Sequence, residues 1–137
     1  MPPRLRGKWA LGITPRNFTW ILKDKLAICE RPGGVGDSHR RVRRQEEIIW
    51  LRENGFGCVL SIISAPHNLH NYEELQLPCR HRPFNSEHTD QYLKALYTEI
   101  RDLLNHGTKV LVHGDEVGDR ILGIMGGYIR WAGLVEE

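Results

Sequence analysis

The chain has 137 residues, 40% of them hydrophobic and 26% charged, which fits one domain built on a single core. No apolar run approaches the ~20 residues that cross a bilayer, and the basic N-terminus, Met1 to Trp9, lacks the apolar centre of a signal peptide, so a cytoplasmic protein with no membrane association is expected. The net charge of +2 does not by itself call for nucleic acid, but residues 1–44 carry 11 Lys/Arg against 3 Asp/Glu, while the rest of the chain carries 8 against 14.

Residues 1–16 hold Pro2, Pro3, Gly7, Gly12 and Pro15 and read as an arm preceding a domain over 17–137. Phe18 to Leu22 and Leu26 to Cys29, split by Lys23-Asp24-Lys25, form a hairpin pattern. The segment Arg31 to Gly36, with Pro32 and three Gly, is a loop. Asp37 or Ser38 caps a helix running to about Asn54, with Val42, Ile48, Ile49 and Leu51 as its apolar stripe. Arg40, Arg41, Arg43 and Arg44 fall in its first turns, against the helix dipole, and read as a solvated face.

Cys58 to Ile63 is a β-branched run of central-strand type, and Ala65 to Tyr72 is a polar loop. Leu75-Gln76-Leu77 reads as a short strand ending at Pro78. Ser86 caps a helix to about Asn105 whose face carries Tyr92, Leu93, Leu96, Ile100, Leu103 and Leu104, and Gly107 ends it. Lys109 to His113 is a buried parallel-type strand, followed by a loop and an apolar helix from Ile121 to about Ala132. Strands alternating with helices predict an α/β sheet.

Three cysteines, Cys29, Cys58 and Cys79, are odd in number and widely spaced, which argues against a disulfide framework and for a reducing compartment. No cofactor and no metal site is expected from these spacings. His67 and His70, at i and i+3, fall in the polar loop. Trp20, Trp50 and Trp131 read as packing residues.

A strand, a short loop and a helix beginning just after it form a cradle for an anion, because loop amides and helix N-terminus present positive charge together. The run Val112-His113-Gly114-Asp115-Glu116-Val117-Gly118-Asp119-Arg120 places His113 and Arg120 with the spacing of one such device. It resembles the His-Cys, five residues, Arg loop of protein tyrosine and small atypical dual-specificity phosphatases. Asn17 to Trp20, Leu26-Ala27, Arg31-Pro32-Gly33, Gly55 to Ile62 and Leu77-Pro78 resemble further family segments in the right order, over about residues 17–131. The resemblance implies a central mixed sheet flanked by helices, in a version short at the C-terminus.

The departures decide what function the resemblance implies. Gly114 stands where the family's nucleophilic cysteine would be, so no covalent phosphoenzyme can form there. No Asp lies between Pro78 and Ser86, where the family's general acid is expected; Arg80 and His81 occupy that place, and His81 is the nearest residue able to donate a proton. Ile121 replaces the hydroxyl residue after the arginine, and Val117 and Asp119 replace small glycines. Inactive relatives that carry Gly for Cys keep a more neutral loop than this one.

The degenerate positions are therefore Gly114, Arg120 and His81, and the residues placed to meet a ligand are His113, Asp115, Glu116, Gly118, Asp119 and Arg120. A carboxylate about 5 Å from a unit negative charge costs roughly 3 kcal/mol at an effective dielectric near 20. The expectation is that Arg120 pairs with Asp119, Asp115 or Glu116 and neutralises the old phosphate pocket. The leading reading is a pseudophosphatase without catalysis of its own, acting through a protein partner or self-association. Trp131, Leu134 and Val135 near the chain end suggest an apolar surface for such contact. One alternative is an enzyme of different mechanism, with a metal or acid/base site built from His113, Asp115, Glu116 and Asp119, to which His81 could add. A second is phosphate or phosphopeptide capture without turnover through Arg120 and Arg40 to Arg44. Nucleic-acid binding is disfavoured, since no aromatic residue interleaves with those arginines.

Overall fold

The computed structural model describes residues 12–34, 40–64 and 69–133. The chain runs β1 (Thr19–Leu22), β2 (Leu26–Glu30), α1 (Arg41–Glu53), β3 (Phe56–Ser61), α2 (His70–Glu74), β4 (Cys79–His81), α3 (Thr89–Asn105), β5 (Lys109–Gly114) and α4 (Asp119–Trp131). The sheet order is β1-β2-β5-β3-β4. Only β1 is antiparallel to its neighbour; β2, β5, β3 and β4 run parallel, giving the expected mixed sheet.

Alternation along the inner strands divides the core. Leu26, Ile28, Cys58, Leu60, Val110 and Val112 face α3 and α4, where Leu96, Tyr97, Ile100, Ile121, Ile124, Met125 and Tyr128 meet them. Ala27, Cys29, Val59 and Leu111 face the other way, against Ile48 and Leu51 of α1 and Tyr72 of α2. Burial on both faces is why β2 and β5 read as continuous apolar runs. The central strand is β5, flanked by β2 and β3, so the loop that leaves its end lies mid-sheet.

Several expectations about local structure change. The first helix begins at Arg41 with Arg40 as an N-cap that makes no side-chain cap bond; Asp37 and Ser38 lie outside the described residues. Val42 is 64% exposed and leaves the apolar stripe, while Arg44 is buried against Asn71 and Arg43 bonds Glu47. Those two arginines tie α1 to its surroundings and are not a solvated face. Residues 65–68 are outside the description, but the second half of the expected polar loop is α2, with Asn71 and Tyr72 buried. Leu75-Gln76-Leu77 is the turn after α2, with Gln76 at φ 60°, and the strand is the polar Cys79-Arg80-His81 at the sheet edge.

The third helix starts at Thr89, because Asn85 and not Ser86 holds the turn: its side-chain oxygen accepts the Glu87 and His88 amides. The fourth starts two residues earlier than expected, at Asp119. Within the expected arm, Ile13 N–H donates to Glu46 O and Glu30 N–H donates to Arg16 O, which ties residues 12–16 to α1 and β2. Phe18, Trp20, Trp50 and Phe56 form an aromatic cluster at that end, with Trp20 stacked on Phe56 at 5.6 Å. Leu134 and Val135 are outside the description; Trp131 is 40% exposed and packs on Tyr97 and Tyr128 with the Arg101 guanidinium 5.0 Å from its ring. No helix among the described residues is long and apolar enough to cross a membrane.

Two adjacent glycines of α4 should respond in opposite directions. An added Cβ at Gly127 collides with Tyr97 Oη, which donates a 2.8 Å hydrogen bond to the Ile124 carbonyl. Gly126 has open space there. Replacing Gly by Ala in a helix contributes up to about 1 kcal/mol, whereas displacing a buried hydroxyl from its acceptor costs about 1–3 kcal/mol. Urea denaturation should therefore find Gly126→Ala more stable than the parent and Gly127→Ala less stable.

Candidate functional site

At the end of β5 the chain leaves the sheet through Gly114, passes Asp115 to Val117, and enters α4 with Gly118 as N-cap. No side chain caps that helix N-terminus by a hydrogen bond. The loop walls a cavity of about 510 Å³ whose apolar side is Ile62, Ile63, Phe84 and Ile121, and whose polar side includes Asp115, Glu116, Asp119, Arg120 and Ser64. Gly114, Asp115, Glu116, Gly118, Asp119 and Arg120 thus meet at one cavity. His113 and His81 do not line it.

A carbonyl oxygen lies on the inner surface of the loop, close to Gly114. An ideal Cβ at Gly114 would lie 3.4 Å from the Glu116 carbonyl oxygen and 3.7 Å from Ile62 Cγ1. An acceptor therefore faces the position from which a nucleophile would work. The Glu116 carboxylate folds back over Gly118: its Oε1 would lie 3.5 Å from a Gly118 Cβ, at the start of α4. A carboxylate at that end of a helix is favoured by the helix dipole.

Arg120 does not pair with a loop carboxylate, contrary to expectation. Its guanidinium lies over the Phe84 ring, 4.6 Å from the centroid, and among the described residues it makes no ion pair. Asp115 faces Arg31 instead, at 3.9 Å. The reason is reach across the fold: Phe84 sits in the segment after β4, which bends back against the first turn of α4 and is braced by Tyr92, edge-on at 5.3 Å. Asp115, Glu116 and Asp119 line the cavity beside the Arg120 guanidinium, and Arg31 offsets the charge of Asp115.

His113 is fully buried on the opposite side of the sheet, its ring stacked on Tyr72 at 6.1 Å. Its Nδ1–H donates to the Gly114 carbonyl, 3.4 Å away. Burial lowers its pKa from 6.5 to about 4, helped by the charges of Arg31 and His81 and opposed by that hydrogen bond. His81 donates through Nε2 to the Ile63 carbonyl at 2.8 Å, fastening β4 to the segment leaving β3. Arg80, beside it, bonds Glu99 at 2.9 Å, and Arg82 grips the same carboxylate with two further bonds of 2.9 Å. Burial alone would raise the Glu99 pKa, but the two arginines hold it below the usual range.

The place expected for a proton donor is therefore filled by a cation bound to α3 and a histidine bound to the segment after β3. His113 and His81 lie away from the cavity that the loop carboxylates line. Among the described residues no group of three or more His, Cys, Asp or Glu is gathered for a metal. Phe84, Ser64, Ile62 and Ile63 were not anticipated at the cavity. The Phe84 signal was legible as the lone aromatic residue in the polar stretch from Arg82 to His88; the others needed the sheet.

The sequence matches no protein-family model and no curated protein. Solved structures do match. A kinase associated phosphatase with its catalytic-site cysteine replaced by serine aligns at TM-score 0.64 and 18% identity, over 84% of this chain and 75% of that one. A mutant form of Tk-PTP aligns at TM-score 0.65 and 15% identity, over 86% and 73%. The PTP-2 phosphatase of Cydia pomonella aligns at TM-score 0.62 and 20% identity, over 87% and 72%. With its 1-2-5-3-4 sheet and the Gly114–Arg120 loop at the head of α4, this chain has the fold of the protein tyrosine and dual-specificity phosphatases.

Proposed function

We propose that the protein is a catalytically inactive member of this fold, a pseudophosphatase that works through contacts with another protein or a second copy of itself. The observation that carries this reading is the Glu116 carbonyl facing Gly114. Gly114 supplies no nucleophile, and the carbonyl oxygen facing it disfavours a thiolate or a phosphoryl group there. Arg80 and His81, each engaged elsewhere, supply no general acid. The unpaired cysteines Cys29, Cys58 and Cys79 support a reducing compartment, and we place the protein in the cytoplasm on that ground.

Anion capture without turnover is a second reading, favoured by one fact: Arg120 is not held by a carboxylate. Aryl phosphate hydrolysis and orthovanadate titration, each run on the protein and on Arg120→Ala, separate the two. We expect no hydrolysis above buffer and no vanadate heat. Arg120-dependent turnover overturns inactivity. Arg120-dependent vanadate binding without turnover replaces the contact-only reading with the second one.

A further inference from the structure

Away from the cavity, four polar side-chain atoms lie buried without a hydrogen-bond partner: Glu47 Oε2, Ser61 Oγ, Tyr72 Oη and His113 Nε2. Their residues are at most 2% exposed. A fifth such atom, Arg43 Nη2, faces Glu30 at 3.6 Å and belongs to an ion pair. The four belong to the side of the sheet on which α1 and α2 pack. Ser61 and His113 are cross-strand partners on β3 and β5, and Cys29 of β2 flanks His113 on its other side. Tyr72 of α2 stacks on His113. Glu47 of α1 accepts from the Gly33 amide just beyond β2, and its neighbours Ile48 and Leu51 pack in one cluster with Cys29 and Tyr72.

The hydrogen-bond inventory of the four is complementary. His113 Nδ1 must be the protonated nitrogen, since the Gly114 carbonyl it meets can only accept; in the neutral ring Nε2 is then an acceptor. Glu47 Oε2 is an acceptor too. Ser61 and Tyr72 each hold a hydroxyl proton to donate. Two donors and two acceptors are what a single water satisfies, accepting twice and donating twice. Orphaned polar atoms are costly enough that four together would consume a large share of a domain's marginal stability. Buried waters commonly bridge about three such groups.

We propose that Glu47, Ser61, Tyr72 and His113 form an internal water site, in which a bound water joins α1 and α2 to the strand that ends in Gly114. The water accepts from Tyr72 and Ser61 and donates to Glu47 Oε2 and His113 Nε2. The site holds the imidazole neutral and in one tautomer, directly beneath the stem of the loop. Loop placement would then depend on residues that never touch the cavity.

A crystal structure at a resolution that shows solvent tests this. A water within hydrogen-bonding distance of at least three of the four atoms is expected, and direct pairing among them with no water overturns the proposal. In solution, water relaxation dispersion should detect a slowly exchanging water in the full chain. The ¹⁵N resonance of His113 Nε2 should be that of an unprotonated ring nitrogen, and it should shift in Tyr72→Phe, which removes one ligand with little change in volume. A protonated Nε2, or one unmoved in Tyr72→Phe with no slow water in the parent, overturns it equally.

Discussion

Acidification from pH 7 to pH 4 is expected to remove about 3 kcal/mol of folding stability through His113 alone, given a native pKa of about 4 against an ordinary 6.5. Burial is the main cause: the imidazole between Tyr72 and the sheet is cut off from bulk solvent, and Arg31 and His81 repel its charge further. The unfolded chain takes up this proton near pH 6.5, whereas the folded chain refuses it until about pH 4. Across that window the unfolded state binds more protons, so stability rises with pH and is lost as pH falls through 6.5 toward 4. Glu99, held low by Arg82 and Arg80, adds to the acid loss at lower pH; Glu47, raised by burial, works against it. Denaturant titrations at stepped pH should show the slope, and His113→Asn, which cannot titrate, should flatten it while lowering stability overall. A native His113 that titrates near 6.5 by NMR would sink this account.

The same histidine shows how far the sequence could be read. His113 and Arg120 were visible through their spacing, and the apolar run before them announced a buried strand, because burial on both faces leaves no polar positions in it. The sheet and its flanking helices followed from such runs. The edge strand did not: Cys79-Arg80-His81 is polar, since one side of it meets solvent and its cations bind Glu99, while Leu75-Gln76-Leu77 imitated the alternation of a strand. Helix starts were missed where capping came from neither Ser nor Asp, as at Arg40 and His88. At the site, the residues were legible and their partners were not. Asp119, Asp115 and Glu116 looked like the natural company for Arg120 because they are near in the chain. The fold brings Phe84 over the guanidinium and turns Glu116 toward the helix start instead. Proximity along a loop says little about which face of it a side chain occupies.

Gly114→Cys is expected to fold and yet to hydrolyse no aryl phosphate above the parent's background. Folding is expected because the new Cβ meets Ile62 at ordinary contact distances of 3.7 and 3.9 Å and only grazes the Glu116 carbonyl at 3.4 Å. The chemistry fails for three separable reasons. A thiolate at this place faces a carbonyl oxygen, and acceptors raise a thiol's pKa where donors would lower it. The Glu116 carboxylate over the α4 N-terminus already uses the dipole that would stabilise the thiolate, and Arg120 lies on Phe84. Neither residue at the place of the family's general acid is free to protonate a leaving group, since Arg80 is bound to Glu99 and His81 to Ile63. The introduced thiol should therefore titrate at or above the ordinary value of about 8.5, against about 3.5–7.5 for activated cysteines, as read from the pH dependence of its alkylation by iodoacetamide. Adding Glu116→Ala should lower that pKa, because it frees the helix N-terminus, but should still give no turnover while the acid is missing. A single mutant whose thiol titrates below about 6 would mean that the peptide after Glu116 reverses and points its amide inward. The loop would then be a phosphate cradle lacking only its nucleophile, and the case for a remodelled site would fail with it.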